Sequence, residues 1–146
     1  EQRALLASDQ KSESFAYSYA KKAIALHGRD AFPHTTLGKV CLKIATTRND
    51  AVAVERYWEG VEALRESRII ALSSGTEWEH PYITFFSYTL RAVRLAVFAK
   101  ERERMSQAWN DWMRSAKASR NLHFLEDNGH NSLDDYQRNW LSLASE

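Results

Sequence analysis

Residues 16–41 read AYSYAKKAIALHGRDAFPHTTLGKVC. Ala16, Ala20 and Ala23 follow one another at steps of four and three residues, which places them on one face of a helix. Gly28 follows this face at the position where a glycine commonly caps the C-terminus of a helix. Pro33 indicates the start of a second helix, because proline is favoured in the first helical turn. The segment therefore predicts two helices joined by a short turn.

The same periodicity extends through the rest of the chain and predicts about six helices and no strand. The first helix is predicted at 12–27, the second begins at Pro33, and the third runs from the N-cap candidates Asn49 and Asp50 to Leu72. The fourth and fifth helices are predicted at 80–100 and 102–122. The capping box Ser132-Leu133-Asp134-Asp135 predicts the start of a last helix. Gly75 marks the clearest loop. We therefore predict an all-α fold in which antiparallel helical hairpins stack as a short solenoid.

Each predicted helix has an apolar stripe that should face the core. In the first helix the stripe is Phe15, Ala16, Tyr19, Ala20, Ala23 and Leu26; in the second it is Leu37, Val40, Cys41 and Ile44; in the fourth it is Tyr82, Phe86, Leu90, Val93 and Val97. Trp58, Trp109 and Trp112 also fall at core spacing. Trp78 lies outside any stripe, so it is either a lid over the core or an exposed contact residue.

Composition narrows the class of protein. The chain has 146 residues, which suits one domain, and its net charge of +1 argues against a dedicated nucleic-acid binder. A single cysteine, Cys41, excludes a disulfide framework and a four-cysteine zinc site. The longest apolar run is too short to span a bilayer. We expect a cytoplasmic setting, and a segment of a longer polypeptide with a repeat core at 11–122 and a C-terminal helix at 130–146.

Two features of the first two helices resemble the tetratricopeptide repeat. Ala16, Ala20 and Ala23 match the spacing of its second helix, and Leu37-Gly38 stands fourteen residues beyond Ala23, as a period of about 34 residues requires. Gly38 costs about 1 kcal/mol relative to alanine in mid-helix, which predicts a packing role. The resemblance covers roughly residues 12–122 and weakens after the first one and a half repeats. Irregular repeats of this type also resemble the C-terminal sensor regions of large bacterial signalling and defence ATPases, although no residue here is specific to them.

The resemblance implies a curved stack whose concave side binds a partner peptide or domain, without cofactor or catalysis. Transferred position by position, the exposed residues of the second helix are Thr35, Lys39, Leu42 and Lys43, and those of the fourth are Thr84, Tyr88, Arg91 and Arg94. Because arginine pairs bidentately with carboxylates, an acidic partner is expected. The alternative is that these cations are ordinary solvated charges of amphipathic helices.

Other chemistry has little support in the sequence. No nucleophile motif, Walker loop or paired Cys/His spacing is present, so we predict neither an enzyme nor a metal site. His123 and His130 flank Glu126 and Asp127, but capping or surface roles are the simpler interpretation. Two further functions stay open: a structural or oligomerisation domain of a larger protein, and nucleic-acid binding through aromatics such as Phe98 and Trp109 interleaved with Lys100 and Arg102.

Overall fold

Helices form almost all of the computed structural model, which describes residues 2–119 and 132–145, with side chains from Lys11 onward. The elements are α1 (Gln2–His27), α2 (Ala31–Thr47), α3 (Ala51–Ser73), α4 (His80–Ala92), a 3-10 helix (Ala96–Glu101), α5 (Arg102–Ala118) and α6 (Leu133–Ala144). No strand occurs within these ranges, which confirms the all-α fold class. Nor does any helix in them have an apolar run long enough to cross a bilayer.

Two predicted helix starts are present with the expected hydrogen bonds. The Asp50 carboxylate accepts a hydrogen bond from the Ala53 N–H at 3.3 Å, so Asp50 rather than Asn49 caps α3. At α6, the Ser132 hydroxyl accepts from the Asp135 N–H, and the Asp135 carboxylate accepts from the Ser132 N–H, both at 3.2 Å. The predicted capping box is therefore confirmed.

The close contact of α2 with α3 depends on two glycines. A methyl group on Gly38 would lie 2.6 Å from the Leu64 side chain, and one on Gly60 would lie 3.0 Å from the Gly38 carbonyl oxygen and from Cys41 Cβ. Because these separations are below normal van der Waals contact, the helices approach this closely only without the two methyl groups. The predicted packing role of Gly38 is confirmed.

Only the small residues of the predicted α1 stripe pack against the rest of the fold. Phe15, Tyr19 and Leu26 are 73%, 67% and 77% exposed, so their assignment to the core was wrong. Ala20 of the same stripe is buried as predicted, in a small cluster with Leu37, Cys41 and Ala63, and the partly buried Tyr17 and Ile24 pack against that cluster. The small Ala20 side chain lets α1 lie close to α2, and the bulkier stripe remains on the outside.

The fourth helix ends at Ala92, eight residues before its predicted end. Leu95 is extended, with φ −85° and ψ 137°, and the 3-10 helix follows it. In an uninterrupted helix Phe98 would lie two turns beyond Arg91, on the same exposed side. The break redirects Phe98 into the core, where it is fully buried with its ring centroid 5.3 Å from that of Tyr57.

Aromatic side chains fill the main core between α3, α4, α5 and α6. Trp109 and Trp112 are buried as predicted, and Trp109 stacks on Trp140 of α6 at 4.7 Å between ring centroids. Trp58 is only half-buried; its indole N–H donates to Glu101 at 2.9 Å. Trp78 is also half-buried and stacks on the exposed Phe32 at 6.2 Å, away from both core clusters.

Candidate interaction surfaces

The α2 part of the predicted partner-binding face is reduced to its two lysines. Lys39 and Lys43 are exposed, lie one helical turn apart and make no ion pair with any residue that the structure describes. Thr35, by contrast, is buried and hydrogen-bonded to Ser67 of α3. Leu42 is fully buried in the main core. Thr35 and Leu42 were therefore wrongly assigned to the exposed face, because α3 and α4 cover that side of α2.

All four residues predicted for the α4 part of the face are at least partly accessible to solvent. Arg91 and Arg94 are exposed, and Thr84 and Tyr88 are half-buried. The Arg91 guanidinium carbon lies 5.1 Å from the centroid of the Tyr88 ring, within the range of a cation–π interaction. Neither arginine forms an ion pair with a carboxylate among the described residues. Both guanidinium groups therefore keep their donors for water or for a ligand.

Arg91 and Arg94 share a groove that the sequence analysis did not anticipate. The groove has a volume of about 350 Å³ and is lined by Leu90, Arg91 and Arg94 of α4 and by Asn139, Ser142 and Leu143 of α6. Packing of Tyr136 on Phe86, with ring centroids 5.1 Å apart, holds α6 against α4. Because the α4–α6 contact joins distant parts of the sequence, helical periodicity alone gave no signal for the second wall.

The two lysines and the two arginines do not converge on one point. α2 packs against α4, but neither Lys39 nor Lys43 lines the groove that contains Arg91 and Arg94. The predicted face is thus a pair of basic sites on neighbouring helices. Of the two, only the arginine site combines positive charge with a concave surface.

A second groove lies between α1 and α3, with α2 at its base. Its volume is about 380 Å³, and its lining comprises Lys21, Ile24, His34, Leu37, Glu59, Glu62, Ala63 and Glu66. The Tyr17 hydroxyl donates to Glu59 at 2.8 Å, and Lys21 and Arg56 each reach Glu59 at 3.2 Å. Burial is the larger cause, and the hydrogen bond to Glu59 the second, of a pKa of Tyr17 raised to about 12. This network ties α1 to α3 at one end of the groove.

Two residues of types that often carry chemistry, Cys41 and His34, have structural roles. Burial raises the pKa of the Cys41 thiol to about 12, because the thiolate would lose its hydration. The His34 Nε2–H lies 2.8 Å from the Gly28 carbonyl oxygen, an interaction at the end of α1. His123, Glu126, Asp127 and His130 lie outside the described residues. Within 11–119 and 132–145, no three His, Cys, Asp or Glu side chains are grouped to hold a metal ion.

No protein-family model matches this chain, and neither a curated protein nor a solved structure is significantly similar to it.

Proposed function

We propose that the chain is a protein-interaction module that binds an acidic peptide or domain, with its helices stacked as tetratricopeptide-like hairpins. One observation supports this proposal most: Arg91 and Arg94 line the groove between α4 and α6, are exposed, and have no carboxylate partner among the described residues. A carboxylate entering the groove would gain charge-assisted hydrogen bonds, and Leu90 and Leu143 offer apolar contact beside them.

Binding at this site would be reversible and sensitive to salt. The two arginines are exposed, and an exposed ion pair contributes about 0.2–1 kcal/mol. Two such pairs correspond to a change in Kd of about 2- to 30-fold. Lys39 and Lys43, on the neighbouring helix, would accelerate the approach of an acidic partner and extend its footprint.

The test measures fluorescence anisotropy of a fluorescein-labelled peptide of mixed Glu and Leu residues at low salt. We expect Arg91→Glu/Arg94→Glu to weaken binding by at least the 2- to 30-fold estimated above, and Lys39→Glu to weaken it by less. Arg114→Glu/Lys117→Glu is the matched control, since it changes the net charge equally at exposed positions of α5 outside both grooves. Equal affinity for the groove variant and the control variant would show that the site is misassigned.

The structural or oligomerisation alternative has one observation in its favour. Phe15, Tyr19 and Leu26 form an exposed apolar stripe on α1, and such stripes commonly mark contact surfaces. Sedimentation velocity distinguishes the two functions: a concentration-dependent dimer abolished by Phe15→Ser/Leu26→Ser supports the alternative, and a monomer that binds the acidic peptide supports the first proposal.

The burial of two aromatics bears on the nucleic-acid alternative. Phe98 and Trp109 are fully buried and cannot stack on bases. Lys100 remains exposed, but it lacks an adjacent exposed aromatic platform from these two residues. Base stacking by this segment is therefore not supported, and we do not propose it.

A further inference from the structure

The groove between α1 and α3 differs in chemistry from the arginine groove. Its base is apolar, formed by Ile24 of α1, Leu37 of α2 and Ala63 of α3. Its volume of about 380 Å³ lies in the range of ligand-binding clefts, about 300–1,000 Å³. Leu37 and Ala63 belong to the small buried cluster that joins the three helices, so the base is fixed by packing.

Carboxylates line one wall of this groove. Three carboxylates, Glu59, Glu62 and Glu66, line the groove together with one lysine, Lys21, and with His34. Glu59 is already paired with Lys21, which leaves two carboxylates of the lining to attract a ligand. Glu62 contacts only the exposed Arg65 at 3.6 Å, a weak pair that a ligand can displace, and Glu66 makes no ion pair with any described residue.

The acidic wall is longer than the cavity itself. Glu55, Glu59, Glu62 and Glu66 follow one another at steps of four, three and four residues, so they form a single stripe along α3. Eleven residues of helix span about 16 Å. Glu55 lies outside the cavity lining, so the carboxylate stripe continues beyond the cavity. An elongated ligand matches such a stripe better than a small cation does.

We propose that this groove binds an amphipathic helix that has Lys or Arg residues at the same four-three-four spacing beside an apolar stripe. The apolar side chains of that helix would lie on Ile24, Leu37 and Ala63, and its cations would face the carboxylates of α3. An amphipathic helix binds by laying its apolar face in a hydrophobic groove, and complementary charges beside that groove fix its register and accelerate association. This surface is independent of the arginine groove, so the chain would offer two docking sites of opposite charge.

The test uses a fluorescein-labelled helical peptide with Lys at that spacing and Leu on the adjacent face, titrated with the intact chain by anisotropy. Glu62→Gln/Glu66→Gln removes the two lining carboxylates not paired with Lys21 without shortening them. Glu103→Gln/Asp134→Asn is the matched control, since it removes two exposed carboxylates far from the stripe in sequence. Far-UV circular dichroism and urea unfolding verify that both variants remain folded.

We expect the groove variant to bind the basic peptide about 2- to 30-fold more weakly than the control variant, the change for two exposed ion pairs. Equal binding by the two variants, or no binding by the unmodified chain, would overturn the proposal. Sedimentation velocity adds a third outcome: if the groove variant abolishes a dimer of the chain, the ligand is a second copy and the proposed foreign helix is wrong. Loss of acidic-peptide binding by the arginine variant leaves this test unaffected.

Discussion

The packing of α2 on α3 at Gly38 makes the stability of the fold sensitive to a single added methyl group. In the substitution Gly38→Ala, the new methyl carbon would lie 2.6 Å from Cγ and Cδ2 of Leu64, about 1 Å inside the usual carbon–carbon contact distance of about 3.5–4.0 Å. Leu64 is fully buried and has little room to move away. Overpacking of this kind costs about 1–3 kcal/mol, whereas alanine gains about 1 kcal/mol over glycine in helix propensity. The net expectation is a loss of about 1 kcal/mol in the free energy of unfolding.

A second-site substitution separates the two contributions. Leu64→Ala removes the two closest atoms and leaves the Gly60 carbonyl oxygen at 3.1 Å, so Gly38→Ala in that background should stabilise the protein by less than about 1 kcal/mol. The sign of the effect of Gly38→Ala therefore reverses between the two backgrounds. The expected coupling free energy is up to about 2 kcal/mol, above the error of about 0.3–0.5 kcal/mol with which independent sites add.

Urea unfolding followed by far-UV circular dichroism measures all four proteins, with the free energy taken by linear extrapolation. Leu64→Ala alone should cost about 2–5 kcal/mol, so the double variant must retain enough stability to be measured at low temperature. If the two substitutions add within about 0.5 kcal/mol, then Gly38 and Leu64 are not in contact and the argument for the α2–α3 crossing is refuted.

Two further predictions concern the capping box and the cysteine. Hydrogen bonds from Ser132 hold the pKa of Asp135 below its usual value. The stabilisation that this carboxylate gives α6 is therefore present above about pH 4 and is lost as the pH falls through the lowered pKa. Asp135→Asn should remove this acid-dependent part of the thermal stability, and an unchanged dependence of Tm on pH would contradict the prediction. Cys41 should react with a disulfide reagent at pH 8 only as fast as the chain unfolds, because the side chain is buried and the pKa of its thiol is about 12. Labelling as rapid as that of a free thiol would contradict this prediction.

Local sequence patterns predicted the helices better than their contacts. The caps at Asp50 and Ser132 were predictable because an N-cap is a hydrogen bond between residues three apart. Gly38 was predictable because glycine in mid-helix requires a reason. In contrast, the end of α4 at Ala92 involves neither Gly nor Pro. It depends on the place for Phe98 beside Tyr57, a contact between residues far apart in sequence.

The candidate sites follow the same division. The exposure of Lys39, Lys43, Arg91 and Arg94 was predictable, since each lies on the polar side of an amphipathic helix. The burial of Thr35 was not, because it depends on Ser67 of another helix. Both grooves are formed by helices that are not consecutive, and no pattern within one helix indicates which other helix provides the second wall.

The wrong part of the α1 prediction concerns three large apolar side chains that were expected in the core. Phe15, Tyr19 and Leu26 are large apolar side chains left exposed, and full burial of one such side chain is worth about 1.5–3 kcal/mol. Ala20 is buried in a cluster with Leu37, Cys41 and Ala63, and its small side chain lets α1 approach the closely packed α2–α3 pair. The apolar stripe that this arrangement leaves exposed is the observation that supports the oligomerisation alternative.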